Sequence, residues 1–265
     1  MAGLSFDLQY PSTQQIARGF PCSIQALQLR CRNANTKHRH RQKRLDERMT
    51  TEPRRCRIVL IAPAGMSAER FATRLRQAMD GGDIASLILP VNDMDDASFQ
   101  HFCEHVAPIA QEGGIAVVIE QNTQIAGRIG ADGIHLESGR AEIANDIERL
   151  QQRMMVGVGG VKTRDDALDL GELRPDYIFF GRFGYDNKPD PHPRNISLAT
   201  WWAEMIEIPC IVMAGSDIGS VVEAAATGAE FVALSAAVFS DETDPRGAIQ
   251  QANALLDEKA PQFGR

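Results

Sequence analysis

From residue 57 onward the chain repeats one unit eight times: a short, β-rich apolar run followed by an amphipathic segment with helical spacing. The predicted strands are Arg57–Ala62, Ile84–Leu89, Ile115–Glu120, Gly133–Leu136, Met154–Val158, Tyr177–Gly181, Cys210–Ala214 and Phe231–Ser235. The predicted helices fall near 67–80, 96–112, 122–129, 140–152, 163–170, 197–206, 217–227 and 243–258. Most of the strand runs are continuously apolar, such as Ile115-Ala116-Val117-Val118-Ile119, as expected of parallel strands covered on both faces. Alternation of this kind builds βα units. Eight units without a linker predict an α/β fold closed as a (β/α)8 TIM barrel, whose chemistry sits at the C-terminal ends of the strands.

Local signals agree with that reading. Ser67, Asp217 and the pair Asp244-Pro245 carry helix-opening chemistry, although Arg70 stands where a capping box would have Glu. Gly130-Ala131-Asp132-Gly133 and Gly228-Ala229-Glu230-Phe231 each end a helix on Gly and enter a strand, marking equivalent turns. Asp93, Asp95 and Asp96 read as caps of the second helix rather than as a cation site. The segment Asp186-Asn187-Lys188-Pro189-Asp190-Pro191-His192-Pro193 reads as a lid or irregular loop, because three prolines oppose a regular helix.

Charge divides the chain. Residues 1–48 hold nine basic and three acidic residues, net +6; the remainder holds 19 basic and 32 acidic, net −13. An acidic body does not suit a nucleic-acid binder. No apolar run is long enough to span a membrane. The five cysteines are odd in number, scattered and without a CxxC pair, which points to a reducing cytoplasm and away from a disulfide framework or zinc site. Residues 1–48 read as a disordered basic extension ending in His38-Arg39-His40-Arg41-Gln42-Lys43-Arg44, with Met49 as the expected start of a single barrel domain over 49–265. An RNA-binding arm or targeting segment is the alternative for that stretch.

Two segments carry the binding expectation. Strand seven runs into Gly215-Ser216-Asp217-Ile218, and strand eight into Ser235-Ala236-Ala237. Small residues let backbone N–H groups approach an anion, and barrels commonly bind phosphate in these two loops. Gly215, Ser216, Ser235 and Ala236 are therefore the phosphate candidates. A third Gly-rich piece, Gly157-Val158-Gly159-Gly160-Val161-Lys162, adds Gly159, Gly160 and Lys162, although no G-K-[S/T] makes it a P-loop. His135 closes strand four and is the acid/base candidate. His101 and His105, four apart on an outer helix, read as solvent-facing. Trp201-Trp202 packs a helix on the barrel or, in a homo-oligomer, forms a subunit contact.

Three segments resemble the thiamine phosphate synthase/TenI family over about residues 57–255. Ala126-Gly127-Arg128-Ile129-Gly130-Ala131-Asp132-Gly133-Ile134-His135-Leu136 is similar to the family's "A..vGADGvHL". Pro175 to Gly181 is similar to "aDYig.G", and Pro209 to Gly215 with Ala224 to Ala237 is similar to "PvvAiGGi…a..aGa.gvAvvSai". The resemblance implies a transferase of thiamine biosynthesis, which joins a pyrimidine diphosphate to a thiazole phosphate with Mg²⁺. Cations must then face the departing diphosphate, where negative charge develops.

Several positions depart from the family's pattern. Pro90 and Asn92 stand at its Arg and Lys after strand two, and Gln121 stands at the metal Asp of "iND". Glu137-Ser138-Gly139-Arg140 replaces "GQeD", leaving Glu120 and Glu137 as the metal candidates. Gly157-Val158-Gly159-Gly160-Val161 replaces "GxStH". The loop after strand six is one residue shorter, with Lys188 at the family Lys and Arg182 as a new cation. Three functions are expected from this pattern. One is thiamine phosphate synthase chemistry, with Lys188, Lys162 or Arg182 steadying the diphosphate. A second is a metal-free thiazole tautomerase using His135. The third is a protein that binds thiazole phosphate or thiamine phosphate without turnover.

Overall fold

The computed structural model describes residues 55–263. The basic extension and the Met49 start lie outside these residues. Eight parallel strands close in sequence order, β1 pairing with both β2 and β8. They are β1 Arg57–Ile61, β2 Ser86–Leu89, β3 Ala116–Glu120, β4 Gly133–Leu136, β5 Met155–Val158, β6 Tyr177–Phe180, β7 Cys210–Met213 and β8 Phe231–Leu234. The helices that follow them are α1 Ala68–Met79, α2 Asp96–Glu112, α3 Thr123–Ile129, α4 Arg140–Leu150, α5 Arg164–Gly171, α6 Pro193–Met205, α7 Val221–Ala226, α8 Ala236–Phe239 and α9 Pro245–Lys259. The fold is the expected (β/α)8 barrel. No helix among the described residues is long and apolar enough to cross a membrane.

Helix boundaries differ from expectation in three places. α6 begins at Pro193, earlier than the predicted 197, because a proline at the first helical position already has the helical φ and lacks an N–H that would go unsatisfied. The predicted helix 217–227 splits into a 3-10 turn, Ile218–Ser220, and α7. The unforeseen α8 is one turn packed just past β8. Ser67, Asp95, Asp217 and Asp244 accept N–H bonds at the starts of their helical segments, as their residue types require.

The pleat separates two cores. Inward side chains, among them Val59, Ile61, Ile88, Val118, Met155, Tyr177, Phe179, Ile211, Met213 and Phe231, fill the barrel. Outward ones pack beneath the helices, where Phe71, Phe99, Phe180 and Trp202 are fully buried. Trp202 thus packs α6 on the barrel, and its indole N–H donates to the Ile208 carbonyl at 2.8 Å.

The acidic joints are structural. Asp132, before β4, accepts the Val117 N–H of β3 at 2.8 Å; Asp176, before β6, accepts the Val156 N–H of β5 at 2.9 Å. Glu230, before β8, accepts the Cys210 N–H of β7 at 2.9 Å. Each satisfies a donor at the start of the preceding strand, which would otherwise be buried without a partner. These acids lie at the N-terminal face, away from the mouth where chemistry is expected.

Candidate active site

Side-chain alternation places Glu120, His135, Tyr177 and Phe179 inside the barrel. The register links them in a row: Glu120 pairs with His135, His135 with Gly157, and Gly157 with Tyr177. Gly157 leaves a gap in that row, and the Tyr177 ring fills it. A Cβ on Gly157 would stand 1.9 Å from Tyr177 Cζ. The ring carries its hydroxyl to 3.1 Å from His135 Nδ1. Burial, with the Asp176 and Glu137 charges adding to it, pushes the Tyr177 hydroxyl far above the ordinary phenol range, so it stays protonated.

His135 is fully buried. Its ring lies against Tyr177, Phe179 and Phe183, with centroids 5.1–5.8 Å away. Its Nε2 sits 3.6 Å from Glu137 Oε1, a distance for charge attraction and too long for a hydrogen bond. Both atoms are buried and neither has a hydrogen-bond partner. Gly159 makes the pair possible: a Cβ there would fall 2.6 Å from Nε2 and 2.7 Å from Oε1. Burial pushes the Glu137 carboxyl up, but the His135 ring, the Arg182 guanidinium and the Gly160 amide together outweigh it and hold the carboxyl below the usual range. The arrangement sets a ring nitrogen and a carboxylate oxygen face to face, each without a hydrogen-bond partner.

Glu120 faces the same interior, and its Oε2 accepts the Val91 N–H at 2.7 Å. Burial raises its carboxyl above the ordinary range, with the Val91 hydrogen bond and His135 pulling the other way. A carboxyl raised on folding adds stability at low pH and loses it as pH rises through the folded value. Glu120→Gln, which keeps an acceptor and removes the charge, is therefore expected to raise the melting temperature more at pH 8 than at pH 4. A pH-independent difference in melting scans of the two proteins would contradict the charge argument.

Magnesium, implied by the resemblance, does not fit these residues. It needs several converging hard oxygens. Among the described residues no three His, Cys, Asp or Glu side chains come together to hold a metal. Glu120 is committed to a backbone amide, Glu137 faces His135, and Gln121 at the aspartate position is exposed, with φ +58°.

At the other end of the mouth the β7 and β8 loops come together, but their amides are engaged. The Gly215 N–H donates to Ser220 Oγ at 3.0 Å. The Ser216 N–H donates to the Lys188 carbonyl at 2.7 Å, and the Asp217 N–H to the Pro189 carbonyl at 3.2 Å. The Ala236 N–H donates to Asp186 Oδ2 at 2.6 Å. Open amides at Gly215, Ser216 and Ala236 are the expectation; instead the segment after β6 engages those of Ser216 and Ala236, and Ser220 of the β7 loop itself engages that of Gly215. Ser235 is buried beside them, and the Lys188 side chain is exposed, so Lys188 meets this end through its carbonyl.

The other candidate cations stand further out. Arg182 lies exposed with its guanidinium 4.0 Å from the Tyr185 ring centroid. Lys162 is exposed, and its N–H donates to Asp166 in the cap of α5. His101 and His105 are exposed on α2, as expected. Sequence reasoning missed Tyr177, Phe179, Phe183 and Asp186 as parts of the site. The first two were legible as alternate residues of β6 pointing inward; for Phe183 and Asp186 no local pattern says where the loop lands.

The comparisons with known proteins bear on this geometry. A model of the family described as thiamine monophosphate synthase matches residues 58–238, most of the chain and every strand of the barrel. The chain belongs to the thiamine monophosphate synthase family. Within that family it is 28% identical over 202 residues to the thiamine-phosphate synthase of Rhodospirillum centenum, covering 76% of this chain and 98% of that one. It is 28% identical over 218 residues to the thiamine-phosphate synthase of Hyphomonas neptunium, covering 80% and 99%. Among solved structures, thiamine phosphate pyrophosphorylase from Pyrococcus furiosus superposes with a TM-score of 0.63 at 18% identity, over 76% of this chain and 96% of that one. The 3-hexulose-6-phosphate synthase of Salmonella typhimurium superposes at 0.60 and 16%, over 77% and 99%. These structural likenesses show the barrel fold alone.

Proposed function

We propose that this chain is a thiamine phosphate synthase-like enzyme of thiamine biosynthesis that takes a phosphorylated heterocycle, thiazole phosphate or thiamine phosphate, into the C-terminal mouth of its barrel. The observation that carries this reading is the family match running from β1 through β8. The heterocycle would enter beside His135 and Glu137, with its phosphate directed to the β7 and β8 loops.

A second reading, metal-free proton transfer of the thiazole tautomerase kind, is favoured by one feature: the unpartnered His135 Nε2 and Glu137 Oε1. In the tautomer in which Tyr177 donates to Nδ1, the ring carries its proton on Nε2, a donor to substrate beside a carboxylate base. Shifting a proton within a substrate uses both groups and no cation. The departures at Pro90, Asn92 and Gln121 suit this reading better than diphosphate displacement.

One pair of assays separates the readings. Purified protein receives pyrimidine diphosphate and thiazole phosphate with Mg²⁺, and in parallel the thiazole tautomer alone without metal, followed by NMR. Thiamine phosphate in the first assay is the expected result of synthase action. Tautomer conversion in the second without thiamine phosphate in the first selects proton transfer. Turnover in neither ends both enzyme readings, and calorimetric binding of thiazole phosphate would then leave a binding protein.

A further inference from the structure

The segment after β6 is held across the β7 and β8 loops at several points. Asp186 is buried at 7% exposure in an otherwise exposed stretch, and its Oδ2 accepts the Ala236 N–H at 2.6 Å. The Lys188 and Pro189 carbonyls take the Ser216 and Asp217 N–H groups. Gly215 has no room for a side chain: a Cβ would lie 2.0 Å from the Pro189 oxygen. At the near end of the same segment Phe183 covers the His135 ring, centroid to centroid 5.1 Å. Local turn chemistry does not explain the Asp186 contact, because it joins residues 50 positions apart.

We propose that Asp186 is a resident anion: its carboxylate stands where a substrate's phosphoryl group would sit, so a phosphorylated ligand must displace it. This deepens the reading under Proposed function and rests on it for the ligand's phosphate. The physical reason is exclusion by charge and by donors together. The carboxylate makes a short, charge-assisted hydrogen bond with an amide that a phosphate oxygen would need. Two anions a few ångströms apart away from water repel strongly, so they do not share the position. Asp186 thereby sets how strongly the mouth prefers phosphorylated over unphosphorylated heterocycles, and couples that choice to the Phe183 cover on His135.

The test uses the full chain and two variants, Asp186→Ser and Asp186→Asn, titrated calorimetrically with inorganic phosphate, thiazole phosphate and the unphosphorylated thiazole alcohol. Asp186→Ser removes both charge and reach. It is expected to bind inorganic phosphate at least about tenfold tighter than wild type, the factor that loss of one charge-assisted competitor supports. Its preference for thiazole phosphate over the alcohol should rise by a similar factor. Asp186→Asn keeps the shape and loses the charge, and a smaller gain is expected; it carries the test alone if the serine variant does not fold. Phosphate affinity within twofold of wild type in a folded variant overturns the proposal, whatever the enzyme assays give. A gain for inorganic phosphate without one for thiazole phosphate keeps the resident anion and removes the heterocycle reading.

Discussion

Gly157→Ala is expected to destabilise the barrel by about 3 kcal/mol, at the upper end of what overpacking a filled core costs. The added methyl would fall 1.9 Å from Tyr177 Cζ, 2.2 Å from Cε1 and 2.4 Å from Cε2. These are atoms in the body of a ring, which cannot give way as the tip of a flexible side chain would. The Tyr177 ring is itself closed in, at 3% exposure, with the His135 ring stacked beside it. For a domain of this size the loss corresponds to about 6–12 °C in melting temperature. It should be largely relieved in the double variant Gly157→Ala/Tyr177→Leu, because the two sites are in direct contact and their effects are therefore not additive. Thermal melts followed by circular dichroism check both statements. A drop of less than about 2 °C for Gly157→Ala would mean that the ring has slack where the structure shows none.

His135→Gln is expected to lower kcat by about 10²- to 10⁴-fold, the usual worth of a positioned proton-transfer group, in whichever of the two assays the wild type passes. Two buried polar atoms facing each other without partners cost stability, roughly 1–3 kcal/mol apiece. Such pairs are few in native proteins, and those that persist call for an explanation. A merely structural histidine would show its loss in the melting curve and leave kcat alone. A catalytic one loses kcat while the melting temperature changes little. The pH profile adds a second readout. Because the Glu137 carboxyl is held below the usual range, a reaction using its carboxylate keeps its rate as pH falls to that lower value and loses it only below. Glu137→Gln should abolish that acidic limb. A His135→Gln enzyme within threefold of wild-type kcat would remove His135 from the chemistry.

Much of the scaffold was legible before any coordinates. Continuous apolar runs such as Ala116 to Ile119 and Cys210–Met213 are strands, because runs this short, rich in β-branched residues, suit a strand covered on both faces. Ser67, Asp95 and Asp244 opened helices because short oxygen-bearing side chains satisfy free N–H groups there. The acidic joints were recognised as equivalent turns, but their partners were not, since each reaches the neighbouring strand. Pro193 misled for a related reason: the same ring that forbids a helix interior favours its first turn. In the candidate site, the place of His135 at a strand end is legible in the sequence, whereas Glu137 reads there only as a metal candidate. Its partnership with His135 needed the space that Gly159 leaves by having no side chain.

The amino-acid order alone determined the eight-unit barrel and the face on which a site is expected. These depend on periodicity and residue type within a few residues of one another. Only the tertiary structure decided that Tyr177 fills the gap at Gly157, that Glu137 faces His135, and that Asp186 lies on the Ala236 amide. Those contacts join residues on different βα units. Strand register and barrel closure set their geometry, and no local preference encodes where one loop comes to rest on another.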